Sequence, residues 1–144
     1  MKQNKGFTLI ELLAVIVILA IIALIATPII LNVINDAREK SAVDAGYGYV
    51  DAVEKYIALT DLENSADPTN VVSLPKDVTC TKGETANNAC DTLFAGIKVK
   101  GRTPEDGSTI VFDASGNITS ADMTFSGVSK TVHYNGQTAS LISQ

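Results

Sequence analysis

Lys5-Gly6-Phe7-Thr8-Leu9-Ile10-Glu11 opens an apolar run in which no ionisable side chain occurs from Leu12 to Asn35, a stretch of 24 residues. Most of those positions are Ile, Leu, Val or Ala. A bilayer core is spanned by about 20 apolar residues as a helix, so the run is long enough to cross it. Glu11 stands at its mouth. A buried acid costs roughly 2.5–3.5 kcal/mol at the bilayer centre and less near the surface, and by default it marks function. Its partner must therefore be sought.

Two ordinary explanations of the first 35 residues fall short. A cleaved secretory signal has an apolar region of about 7–15 residues followed by a small-x-small site. Here the run is longer, and cleavage after Ala20, Ala23 or Ala26 would place Ile18, Ile21 or Leu24 where a small residue is needed. A plain signal anchor, cytoplasmic at Lys2 and Lys5 by the positive-inside rule, fits the hydropathy but leaves Glu11 unexplained.

The segment resembles the class III leader of type IV prepilins and pseudopilins. In that family a short basic leader ends in glycine, and an aromatic residue followed by Thr-Leu-Ile-Glu begins the mature chain. The resemblance implies that a prepilin peptidase cuts between Gly6 and Phe7 and methylates the new amino group of Phe7. It further implies that Phe7, Thr8, Glu11 and Pro28 serve subunit assembly. Gly6 presents bare backbone to a protease. The freed amine of Phe7 and the carboxylate of Glu11 lie at nearly one depth, four residues apart on one helix face. Across subunits, Glu11 can instead capture the amine of the next protomer, the role that the family favours. Pro28 lacks an amide hydrogen and crowds the Leu24 carbonyl, so it loosens or kinks the helix. In similar pilins that loosening accompanies filament assembly; an ordinary membrane-helix kink is the alternative.

The resulting organisation is a cleaved leader at 1–6, a transmembrane and filament-core helix at 7–31, and an amphipathic continuation at 32–60. A connecting loop at 61–95 and an antiparallel β-sheet at 96–144 complete it. The fold class is α+β, pilin-like, with the long N-terminal helix packed on a C-terminal β-meander. Ile34, Ala37, Ser41, Ala45, Gly48, Ala52, Tyr56 and Leu59 recur at helical spacing and are expected to form the seam that covers the sheet. The helix is expected to end near 60–64, ahead of Asp67-Pro68, about 80 Å from Phe7. Alternation from Gly96 through Ile97 and Val99 predicts a first strand, then Thr109–Phe112, Ile118–Phe125, Lys130–Tyr134 and a short Ala139–Ile142. Turns are expected at 104–107, 115–117 and Asn135-Gly136.

In an extracytoplasmic head, Cys80 and Cys90 read as a disulfide, two free thiols being the alternative. Similar pilins often place such a bridge nearer the C-terminus. His133 has no serine or cysteine partner in a recognisable motif and reads as a surface or packed histidine. Asp113–Asn117 offers oxygens at a turn but lacks the acid-rich spacing of a calcium loop, so no metal is expected. Asn117-Ile118-Thr119 matches the glycosylation acceptor pattern, which three-residue chance also supplies. Tyr47, Tyr49 and Tyr56 are spaced for packing. No phosphate loop or nucleophile motif occurs, so no cofactor and no enzyme activity are expected.

The full chain of 144 residues has a formal charge of −5, and loss of Lys2 and Lys5 would make it −7. So acidic a head is a poor match for phosphates, and direct nucleic acid binding is not expected. The expected function is that of a structural subunit of a type IV pilus-like filament for adhesion or motility. It would wait in the cell membrane as a single-pass protein with a cytoplasmic N-terminus, then form a homopolymer with other pilin subunits at the bacterial surface. The peptidase, an assembly platform and its ATPase would be its partners. The alternatives are a pseudopilin of a secretion or DNA-uptake apparatus and an anchored binding module that never polymerises.

Overall fold

The computed structural model describes residues 6–85 and 87–143; the basic flank of the expected leader, residues 1–5, lies outside them. The chain divides into two compact units, one through Ala37 and one from Arg38 onward. Helix α1 (Leu9–Ala66) contributes to both.

In the first unit the large apolar side chains of α1 are exposed, Leu9 at 84% and Leu24 at 79% among them. That stretch has the length and composition to cross a membrane. The helix continues through Pro28. Just before it, the Thr27 hydroxyl donates to the Ala23 carbonyl at 2.7 Å, a local bond of the kind that bends helices. Pro28 itself offers no N–H to the Leu24 carbonyl.

The second unit is an α+β head, the helix on a five-stranded antiparallel sheet. Strands β1 (Val78–Thr81), β2 (Thr109–Phe112), β3 (Ile118–Met123), β4 (Thr131–Tyr134) and β5 (Ala139–Ile142) lie in sequence order. Short connections between β2 and β5 force antiparallel neighbours. Gly116 (φ 88°) and Gly136 (φ 87°) supply the left-handed turn positions. The register of β2 on β3 shifts between Val111 and Phe112. That irregularity lets Ile118, Ala121 and Met123 all reach the core despite their odd spacing.

The core joins Ile110, Phe112, Phe125 and Val132 of the sheet side to Ala42, Tyr49, Val50 and Val53 of α1. Tyr49 is so covered that burial pushes its phenol up to about 12. The covering seam is thus rotated by about one residue from the expected one. Ser41, Gly48 and Leu59 are exposed, whereas Ala42, Gly46, Tyr49, Val50, Val53 and Thr60 are buried. Two β-branched valines and a tyrosine bury more apolar area than the small residues beside them, and this sets the rotation. An ideal Cβ on Gly46 would lie 2.8 Å from Val132 Cγ1, while Gly48 has nothing within 4 Å. Gly48→Ala is therefore expected to raise head stability by about 1 kcal/mol. Gly46→Ala is expected to fall below it by at least about 1 kcal/mol through overpacking. Thermal unfolding of the two variants gives the comparison.

The segment expected as loop over 61–95 contains β1 and helix α2 (Asn88–Gly96). Asn87 caps α2, its side chain accepting from the Ala89 amide at 2.9 Å. The first strand is consequently β1, and residues 97–100 lie outside the sheet. Gly96 abuts the Tyr56 ring so closely that a Cβ there would overlap it. Helix α1 runs to Ala66, a little past the expected end. Beyond it, Asn64 ties the following loop down, accepting from the Val72 amide at 2.7 Å and donating to the Val72 carbonyl at 2.9 Å.

Candidate functional site

The first four N–H groups of a helix have no intrahelical acceptor. At the start of α1, Thr8 and Glu11 meet that need reciprocally. The Glu11 carboxylate accepts from the Thr8 amide at 2.8 Å and from the Thr8 hydroxyl at 2.9 Å. The Glu11 amide in turn donates to Thr8 Oγ1 at 3.3 Å. This is a capping box, and the Thr-x-x-Glu spacing that signals one was present in the sequence. The carboxylate also lies at the positive end of the helix dipole.

In the uncleaved chain, where Phe7 has no free amine, the hydrogen-bond partner of Glu11 is Thr8, three residues back. Both Glu11 hydrogen bonds from Thr8 end on one oxygen, Oε2, so the other is not used by the cap. Phe7 is 89% exposed, and with Gly6, Thr8 and Glu11 it lines a shallow surface recess. A Cβ at Gly6 would meet nothing within 4 Å. The fold itself thus sets no demand for glycine at position 6.

Cys80 of β1 and Cys90 of α2 form a disulfide with Cα atoms 5.4 Å apart, and both are buried. The bridge fastens α2, through Leu93, to the head core.

The remaining candidates are structural. Asp113 accepts from the Ser115 and Asn117 amides, both at 2.8 Å, and from Asn117 Nδ2 at 3.1 Å. These donors, Asn117 foremost, hold its carboxyl below the usual range; the carboxylate organises the β2–β3 turn. Among the described residues no group of three or more His, Cys, Asp or Glu is placed to hold a metal. Tyr47 meets the Tyr134 ring edge-on at 6.4 Å, and its hydroxyl accepts from the Ala139 amide. His133 Nδ1 lies 2.6 Å from Asp122 Oδ1 across β3 and β4, a pairing that sequence spacing did not disclose. Ser140 is the register partner of His133 on β5. No side-chain hydrogen bond joins Ser140 to His133 among the described residues, so the row is a hydrogen-bonded His133–Asp122 pair beside a serine.

A family model described as the prokaryotic N-terminal methylation motif matches residues 1–27. No curated protein and no solved structure matches the chain. The motif supports the type IV pilin and pseudopilin family, whose members are structural subunits and not enzymes. It points to processing by a peptidase and to assembly into filaments. The apolar N-terminal helix fits the membrane anchoring of such a precursor.

Proposed function

We propose that this pilin-like precursor is a structural subunit of a surface filament used for adhesion or motility. The observation that carries the reading is the methylation motif at residues 1–27, which runs into the exposed apolar part of α1, in a chain whose second unit has its own core. Prepilin peptidase cleaves after Gly6 and methylates Phe7. Residues 7–31 then hold the subunit in the membrane, N-terminus cytoplasmic and head outside. In the filament the same helices pack together and exchange lipid contact for one another. An assembly platform and its ATPase supply the work of extraction, since the chain shows no phosphate-binding motif.

Within the polymer the freed amine of Phe7 is a cation at the depth of Glu11. The oxygen of Glu11 that the cap leaves over is its acceptor, on the neighbouring subunit. Loosening near Pro28 adjusts the helix to its neighbours. The head, with its own core and disulfide, suits an exposed filament surface.

Mass spectrometry of the purified protein is expected to find a chain beginning at Phe7 and carrying one added methyl group. Gly6→Leu is expected to retain the leader in the membrane fraction. A native chain that keeps residues 1–6 in the filament fraction would refute the processing step.

A further inference from the structure

Strand β5 stands at one edge of the sheet, and among the described residues no strand lies beyond it. A free strand edge offers unpaired N–H and C=O groups on which another strand can form. The hairpin register says which groups these are. The Asn135 amide donates to the Thr138 carbonyl at 3.1 Å, and Tyr134, His133 and Val132 stand opposite Ala139, Ser140 and Leu141. Bonded and non-bonded pairs alternate along an antiparallel ladder, so Tyr134–Ala139 and Val132–Leu141 are non-bonded pairs. Ala139 and Leu141 therefore turn their backbone N–H and C=O groups away from β4.

Proteins blunt such an edge with charge, with proline or by keeping the strand short. β5 is short, at four residues, but positions 135–144 hold neither a charged side chain nor a proline. The helix supplies what the strand lacks. From α1, the Tyr47 hydroxyl accepts from the Ala139 amide at 2.8 Å, across 92 positions of sequence. An incoming strand would place a carbonyl oxygen at that same distance from the amide, so the phenol oxygen occupies its position. The Tyr47 ring is braced edge-on against Tyr134 at 6.4 Å, yet the residue remains 41% exposed. Among the described residues no side chain caps the Leu141 amide, two positions further on.

We propose that Tyr47 guards this edge, closing β5 against antiparallel strand addition by the β5 of a second copy. The strand suits itself as occupant. It carries no charge, so a two-fold pairing would set no like charges face to face. Strand addition of this kind is the route by which open edges aggregate, and the cap removes one of its two outward amides. The hydroxyl thus has a task that ring packing does not need, since phenylalanine would meet Tyr134 equally well. The guard belongs to the head alone and holds whether or not the chain polymerises.

The full chain in detergent micelles allows a test by amide exchange resolved to single residues and by sedimentation over a dilution series. In the dilute wild type, the protection factor of the Ala139 amide should exceed that of Leu141 by about tenfold, the effect of one hydrogen bond. Equal protection would overturn the proposal without any variant. Tyr47→Phe keeps the ring and removes the acceptor. Its Ala139 protection should fall to the Leu141 level, and it should dimerise at concentrations about tenfold below those the wild type needs. Both amides should regain protection as the dimers form. Adding Ala139→Pro removes the outward amide at an edge position that tolerates proline, and should return dimerisation to the wild-type level. A folded Tyr47→Phe head that dimerises no more readily than wild type would overturn the guard. Dimers that persist with Ala139→Pro would place the contact elsewhere and overturn it too. Should Tyr47→Phe unfold the head, the wild-type comparison decides alone.

Discussion

Glu11→Gln is expected to abolish filaments while leaving membrane insertion and the head unchanged. The choice of glutamine matters because Glu11 has two possible duties. It caps its own helix through Thr8, and in the proposed polymer it neutralises the amine of another subunit. Glutamine preserves the first, since a capping box accepts either side chain. It removes the second, which depends on the negative charge. Thr8→Ala is the converse variant. It should weaken the first turn by about 0.5–2 kcal/mol and leave the carboxylate in place, so assembly should be reduced but retained. Quantifying sheared filaments against membrane-bound protein for both variants separates the roles. Normal filaments from Glu11→Gln would mean that the acid is a helix cap and nothing more.

The second large effect concerns the head. Cys80→Ala with Cys90→Ala is expected to lower its stability by about 2.8 kcal/mol on the loop-entropy model. For a domain of this size that lowers the midpoint by roughly 10–20 °C. Alanine is preferred to serine because both positions are buried, where a hydroxyl would need a partner. The near-ultraviolet signal of the tyrosines follows the head rather than the apolar helix. A midpoint lowered by only a degree or two would show that packing of Leu93 already holds α2 without the bridge.

Much of this architecture was legible in the sequence because its signals are local and strong. The uncharged run from Leu12 to Asn35, the β-branched and aromatic run 109–112 after its turn, the alternation in 131–134, and the Asn135-Gly136 turn each predict an element that the structure contains. The seam of α1 was displaced because small residues suggest close approach, whereas burial followed Val50, Val53 and Tyr49. Strand β1 was hidden because Val-Thr-Cys-Thr alternates over only four residues and depends on pairing with β2. Helix α2 was hidden because its buried Ala89, Cys90 and Leu93 are few and lie within a short helix between polar neighbours.

The site divides the same way. Gly6, Phe7 and Glu11 announce themselves by order and by the cost of an acid in lipid. The Thr8–Glu11 cap was equally present as a Thr-x-x-Glu spacing, but the same carboxylate also suits an amine at Phe7, and the spacing alone does not choose between them. Pairings such as Asp122 with His133 arise only from strand register and leave no local trace.

Electron microscopy of sheared surface material, with antibody raised to residues 61–144, tests most directly whether the chain polymerises. Continuous label along long fibres is the expected result. Fibres without label, with the protein confined to the membrane as monomers, would contradict it.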